Sequence, residues 1–415
     1  MKFTELKLNN KILEAIDYMG FEETTPIQEK SIPSILNGQD LIACAQTGTG
    51  KTAAFVIPIL HKIIINKPIG INTLIIVPTR ELALQIDQQI EGFAYFVSVG
   101  SIAIYGGGDG QDWETQKDAL KKGVNIVVAT PGKLLSHLKQ NYVDFSKIEH
   151  LILDEADRML DMGFYEDIRQ IISYLPKNRQ TLLFSATMPK SIENLANSIL
   201  INPAKFSLNL SKPASGVKQT AYYCYENQKI KLLIHILNLH PDFDSILIFT
   251  STKANVSNIV SNLRQKGIYS QGISSNLNQD EREEILRKFR ARRISVLVAT
   301  DVMSRGIDVK EINMVVNYDV PEDAEDYVHR VGRTARLETI GEAITLVNTE
   351  DIQKIRKIEA LIESKIPKEY TPVEIGKAPN IDEYSNTNRK KGKKPFRNKF
   401  RNKKHNKHSN RKESN

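Results

Sequence analysis

Short apolar runs constrain this chain more than any other feature. Most close on Gly, Pro, Thr or Asp, and longer amphipathic stretches separate them. In residues 1–207 the runs are 41–45, 73–77, 124–129, 150–153 and 180–184. A strand buried on both faces reads as a continuous apolar run, and parallel strands need crossover helices between them. The pattern therefore predicts an open parallel α/β sheet, the kind that binds ligands at the carboxyl ends of its strands. A second series, from about Gln219 to Ile362, offers strands at 245–249, 294–299, 313–317 and 342–347.

Between the two series runs Asn209-Leu210-Ser211-Lys212-Pro213-Ala214-Ser215-Gly216, a polar stretch with Pro and Gly that reads as a linker. The expected layout is a first domain at 1–207, a linker at 208–217, a second domain at 218–368, and an extension with a basic tail at 369–415. Of 57 Lys and Arg, 13 fall in 389–415 against one acid there, Glu413; the rest holds 44 bases and 48 acids and is net −4. The tail repeats Phe-Arg-Asn-Lys at 396–399 and 400–403, and its charge and low complexity predict disorder and attraction to a polyanion. Apolar residues at 40% and charged residues at 26% are ordinary for a globular body. No window is apolar enough to span a membrane, and the first residues do not read as a signal peptide. Two cysteines are too few for a disulfide framework or a four-ligand zinc site, so a soluble protein in a reducing compartment is expected.

Ala45-Gln46-Thr47-Gly48-Thr49-Gly50-Lys51-Thr52 follows one predicted strand and precedes an apolar helix. Glycines let the backbone wrap phosphates, while successive N–H groups and the helix N-terminus face the anion. Lys51 neutralises the outer phosphates, and the Thr52 hydroxyl suits Mg²⁺. Ala45 stands where the general phosphate-loop pattern has Gly. About a hundred residues on, an apolar run delivers Asp154-Glu155-Ala156-Asp157. Alone, such a tetrad also fits a solvated acidic turn. Beside a phosphate loop it fits the metal-and-water half of a nucleotide hydrolase, with Asp154 holding Mg²⁺ largely through water and Glu155 deprotonating the attacking water.

The tetrad and its companions resemble the DEAD-box RNA helicases, with some dozen motifs in that family's order over about 365 residues. The resemblance implies two tandem RecA-like parallel-sheet domains, and within the family it looks most like the bacterial RhlE-type subgroup. The segment from Gly20 to Gln28 resembles the Q motif, which implies that Gln28 reads the adenine edge while Phe21 stacks on the ring. Pro78-Thr79-Arg80-Glu81-Leu82-Ala83, Gly106-Gly107 and Thr130-Pro131-Gly132-Lys133 resemble the RNA-backbone motifs, though each taken alone also fits a helix cap or turn. Ser185-Ala186-Thr187 resembles the motif whose hydroxyls link Asp157 to the RNA side.

In the second half, Thr300 and Arg305 are expected on the RNA side, and Gly306 and Asp308 on the nucleotide. Thr250 belongs to a further RNA motif, while Gln279 and Arg282, in the family's Gln-x-x-Arg spacing, are expected to help couple the domains. His329 and Arg330 are expected to couple the domains, while Arg333 and Arg336, three apart on one helical face, are the candidate arginine fingers. Thr24, Ser274, Ser275 and Ala335 depart from common family residues without removing a group given a catalytic role.

The resemblance thus implies a cytoplasmic, monomeric, RNA-stimulated ATPase that uses ATP and Mg²⁺. It would separate short duplexes or remodel RNA–protein complexes on single-stranded RNA, ribosomal precursors or RNA-decay assemblies. An ATP-regulated RNA clamp with little turnover uses the same residues. A DNA helicase of the same superfamily fits the tetrad and Gln28 less well.

Overall fold

Each of the nine apolar runs forms a strand in the computed structural model, which describes residues 1–45, 48–107, 110–207, 217–274, 276–300, 312–334 and 341–379. Strands β1 (Leu41–Cys44), β2 (Thr73–Ile76), β3 (Ser101–Ile104), β4 (Ile126–Ala129), β5 (His150–Leu153), β6 (Gln180–Ser185) and β7 (Ala204–Ser207) build the first sheet, in the order β3-β4-β2-β5-β6-β1-β7. Strands β8 (Val217–Tyr223), β9 (Ile246–Phe249), β10 (Ser270–Ile273), β11 (Val296–Ala299), β12 (Met314–Asn317), β13 (Gly341–Val347) and β14 (Lys368–Tyr370) build the second, in the order β10-β11-β9-β12-β13-β8-β14. Adding seven to each label of the first order gives the second, so the two sheets share one topology. All pairings are parallel, for example Leu41 opposite Leu182 and Met314 opposite Ile246.

The continuous runs have the cause the pattern implied. In the first sheet Ala43, Ile75, Val128 and Ile152 point into one core, while Ile42, Leu74, Val127 and Leu151 point into a second core on the opposite face. Both faces are covered by helices, so no strand position can be polar without cost. The strands missing from the expectation lie mostly at the edges. β7 alternates half-buried and exposed positions, β14 is exposed throughout, and β3 and β10 are only partly buried.

The second lobe also runs past the boundary expected at 368. β14 pairs with β8, the Thr371 hydroxyl donates to the Tyr223 carbonyl at 2.9 Å, and Ile375 packs on that lobe's core. Of the expected linker, 208–217, residues 208–216 lie outside the described residues, as does the basic tail, 389–415, while Val217 already opens β8. Among the described residues, no helix is long and apolar enough to cross a membrane.

Candidate functional site

The phosphate loop begins where β1 ends, and the Ala45 amide continues the sheet by donating to the Ser185 carbonyl at 3.0 Å. Gly48 and Gly50 adopt positive φ, +84° and +89°, and the helix Lys51–Asn66 starts at once. Gly50 is confined by more than its backbone, because a Cβ there would come within 2.4 Å of Gln28 Nε2. Gln28 is fully buried; its Nε2 donates to the Gly50 carbonyl at 3.1 Å, and its Oε1 accepts from the Thr25 amide. Phe21 packs against Phe93 and Phe3 at the edge of the core. Lys51 is buried and donates one proton to the Ala45 carbonyl at 2.9 Å, while Thr52 is half-buried beside it. Gln46 and Thr47 lie outside the described residues.

β5 delivers the acidic tetrad. Asp154 and Glu155 are both buried, and Glu155 sits in the left-handed region at φ 54°, a strained setting for a side chain with a Cβ. That backbone ends the strand and caps the short helix Ala156–Asp161, turning two adjacent carboxylates into one space. Burial pushes the Asp154 carboxyl up to about 6, with Lys51 opposing the rise. A buried carboxylate this short of positive charge suits a divalent cation, so the residues present fit Mg²⁺.

Burial pushes Glu155 up too. Arg158, Lys51 and Arg333 together outweigh it and hold the group below the usual glutamate range. Arg158 Nη1 lies 3.1 Å from Glu155 Oε2. Arg333 belongs to the other lobe, so the field at Glu155 draws on both.

Asp157 turns the other way. Its Oδ2 accepts from the Ala186 amide at 3.1 Å, the Thr187 amide at 2.9 Å and the Thr187 hydroxyl at 3.0 Å. The Ser185 hydroxyl donates to the Thr187 carbonyl and accepts from the Asp157 amide. The tetrad and the end of β6 are therefore one hydrogen-bonded piece.

Two second-lobe residues sit differently from expectation. Thr250, expected on RNA, is fully buried, and its hydroxyl donates to Asp319 Oδ2 at 2.7 Å. Arg330, expected to couple the lobes, is buried inside its own lobe. It donates to Asn317 and to the Asp319 carbonyl and lies over the Phe249 ring. Both placements share a cause: half-buried Asp319 needs donors, its carbonyl needs a partner, and these neighbours satisfy them. His329 instead lines a cavity of about 520 Å³ between the lobes, with Asp157, Thr187, Asp323, Asp326 and Leu361. Arg305, Gly306, Asp308 and Arg336 lie outside the described residues, as does the Gln279 side chain.

The expected RNA residues cluster at strand ends of the first sheet. Thr79 caps the helix Arg80–Phe93 through its hydroxyl. Thr130 donates to the Ile104 carbonyl, Pro131 is buried, and Gly106, Gly107 and Gly132 are exposed. Pro78 is buried behind them, while Thr300 is half-buried after β11 in the second lobe.

Arg80 is committed across the lobes. Its guanidinium pairs with Glu283 at 2.7 Å and lies 4.3 Å over the Tyr105 ring. Its neighbour Glu81 pairs with Arg282 at 3.0 Å. Successive Arg-Glu pairs, 80–81 and 282–283, thus clasp one lobe to the other. Sequence reasoning passed over Arg158, whose three-residue spacing from Glu155 was a usable signal, and Tyr105, which carries none.

Comparison with known proteins follows this geometry closely. The family model for the DEAD/DEAH box helicase matches residues 25–195, and that for the helicase conserved C-terminal domain matches residues 228–338. The chain is 42% identical to the ATP-dependent RNA helicase CshA of Listeria monocytogenes over 359 residues, 86% of this chain and 68% of that protein. It is 39% identical to the CshA of Bacillus subtilis over 371 residues, 89% of this chain and 74% of the relative. These relatives lend no support to the RhlE-type subgroup. Among solved structures, S. cerevisiae Dbp5 bound to RNA and ADP BeF3 superposes with a TM-score of 0.81 at 29% identity, over 89% of this chain and 95% of that one. Mss116p bound to ssRNA and AMP-PNP gives 0.79 at 29% identity, over 90% and 80%.

Proposed function

The chain belongs to the DEAD-box ATP-dependent RNA helicases, and from that membership we propose a split-site cycle driven by its own residues. One lobe supplies Lys51, Thr52, Asp154 and Glu155; the other supplies Arg333 and Arg336. The observation that carries this reading is the setting of Glu155, buried at the end of β5, 3.1 Å from Arg158 Nη1, and held below the usual glutamate range by Arg158 and Lys51 from its own lobe and by Arg333 from its neighbour.

Gln28 reads the adenine edge, and its link to Gly50 ties base recognition to the phosphate grip. Lys51 keeps two further protons for the outer phosphates after serving the Ala45 carbonyl. Thr52 and Asp154 would hold Mg²⁺, largely through water, and the ion would supply positive charge beside the phosphates. Glu155 takes the proton of the attacking water, and the arginines stabilise the spread charge of the transferring phosphoryl group.

RNA lies across both lobes, on the backbone groups of Gly106, Gly107 and Gly132 with Thr79 and Thr130, and on Thr300 and Arg305 opposite. Phosphate and backbone contacts give little sequence preference; discrimination from DNA rests on 2′-hydroxyls. ATP and RNA each favour the closed arrangement, so they bind cooperatively. A closed cleft that holds one strand bent excludes its partner strand and melts short duplexes. The basic tail adds sequence-tolerant affinity through its 13 cations, with Phe396 and Phe400 available to stack on bases. A reducing cytoplasm suits the two buried free thiols, Cys44 and Cys224.

The test is steady-state phosphate release with and without single-stranded RNA or DNA, using Glu155→Gln as control. RNA should stimulate the parent, and the variant should lose at least about a hundredfold, the scale on which a positioned base acts. Stimulation by DNA alone would overturn the RNA assignment.

A further inference from the structure

The helix Gly110–Lys122 follows the Gly106–Gly107 loop after β3, and the helix Pro131–Leu138 follows β4, the strand beside it. The chain's single tryptophan, Trp113, sits on the first of these helices and meets two residues of the second. Its indole stacks on His137 with ring centroids 3.9 Å apart and planes 11° apart, and the Lys133 ammonium lies 4.5 Å from the indole centroid. A gap of 3.9 Å cannot also hold an ammonium, so Lys133 occupies the opposite face. Lys133 and His137 are four apart on one helix, which puts them on one side a turn from each other. The indole is wedged between them.

The wedge is anchored on its inner side. His137 is fully buried, with Nε2 3.2 Å from Gln116 Oε1 and Nδ1 hydrogen-bonded to the Tyr142 hydroxyl. An amide oxygen only accepts, so Nε2 carries the proton and Nδ1 accepts from Tyr142. With both nitrogens committed the imidazole cannot swing. Burial first, and Lys133 second, bring the His137 pKa down to about 4, so the ring meets the nearby ammonium uncharged. Gln116 Nε2 continues to the Tyr105 carbonyl at 3.4 Å, and the Tyr105 ring carries Arg80. Lys133 is the outer, half-buried end of this chain of contacts, directly after exposed Gly132.

We infer that Trp113 is a positioning residue for RNA binding, holding the Lys133 ammonium at the Gly106–Gly107 and Gly132 loops so that its free protons face a phosphodiester. The inference rests on the RNA-binding reading above and assigns to it a residue outside the helicase motifs. A lysine on a bare four-carbon stem must be ordered when phosphate arrives; one already held over an indole has been ordered beforehand. Lys133 is the group that touches the phosphate, and Trp113 acts through it.

The experiment measures ATPase stimulation by poly(U) in the full chain, comparing the parent with Trp113→Leu and Trp113→Phe. The leucine variant should raise the half-saturating RNA concentration about three- to tenfold, the scale of a cation–π contact, and keep turnover at saturating RNA within about a factor of two. Its plot of log affinity against log salt should be shallower by roughly 0.7, one phosphate contact on a single strand. Phenylalanine should recover most of both, and adding Lys133→Met to the leucine variant should change neither further. An unchanged or lower half-saturating concentration in the leucine variant, or an unchanged salt slope, would overturn the inference.

If the leucine variant does not fold, tryptophan emission decides instead. Saturating poly(U) should shift it in the parent and leave it still in Lys133→Met; no shift in the parent, or equal shifts in both, would overturn the inference. A parent whose hydrolysis ignores RNA would sink the RNA reading itself, whereas a responsive parent matched by its variants would sink only the role of Trp113.

Discussion

Gly50 carries two constraints at one position, a left-handed backbone and the Gln28 amide at its α-carbon. Gly50→Ala should therefore cost at least about 1 kcal/mol in urea unfolding and weaken ATP binding by displacing Gln28. If ATP affinity is untouched, Gln28 does not serve the nucleotide through this contact. His137 makes a second prediction. Its folded pKa, about 4, lies below the ordinary 6.5, so between those values the unfolded chain binds the extra proton. Stability is then fully present above about 6.5 and falls as the pH drops towards 4. The charged group that acts on the ring, Lys133, opposes a second positive charge there. Melting followed by Trp113 emission should show this loss, and His137→Asn should lessen it. The positions of Lys51, Asp154 and Glu155 after strand ends were legible because phosphate and water chemistry admits few residue types there. Thr250 and Arg330 were not, because their motif letters do not say which side of a loop is buried.

Elements were legible to the extent that they are buried on both faces. β1, β2, β4, β5, β9, β11 and β12 are buried throughout and mostly apolar because helices cover both sides of each. β7 and β14 have one free edge and no such demand, and β8, Val-Lys-Gln-Thr-Ala-Tyr-Tyr, mixes polar and aromatic residues. That is why the second lobe was drawn to stop at 368, short of its last strand. A chain ending at 379 should match the full chain in urea melting. One ending at 366 loses β14, the Thr371 hydrogen bond and the Ile375 contact, and should be weaker by about 2 kcal/mol or more. It should also aggregate more readily, since the edge of β8 is then bare. Equal midpoints for the two would mean that this strand adds nothing.

At the scale of the whole molecule, two ion pairs among the described residues join the lobes, and their settings rank them. Glu81 and Arg282 have side chains 8% and 12% exposed, while Glu283, the partner of Arg80, is 44% exposed. Breaking a shielded pair costs more than breaking an exposed one, which is worth about 0–1 kcal/mol. Glu81→Gln should therefore lower RNA-stimulated turnover more than tenfold, and Glu283→Gln less than about fivefold. The swap Glu81→Arg with Arg282→Glu should recover part of the loss from either change alone. Similar effects from both single variants would refute the ranking. The duplicated topology could be read as two α/β series, and Arg282 was expected to couple them, but its partner Glu81 and the second pair could not be read, since residues about two hundred apart carry no shared pattern. The seam cavity beside His329 has a further consequence. Its volume, about 520 Å³, is in the range that drug-sized compounds fill, and Asp161, Asp323, Glu325 and Asp326 on its walls favour a cationic one. Such a compound would be a pharmacological wedge, jamming the motor without imitating either of its substrates.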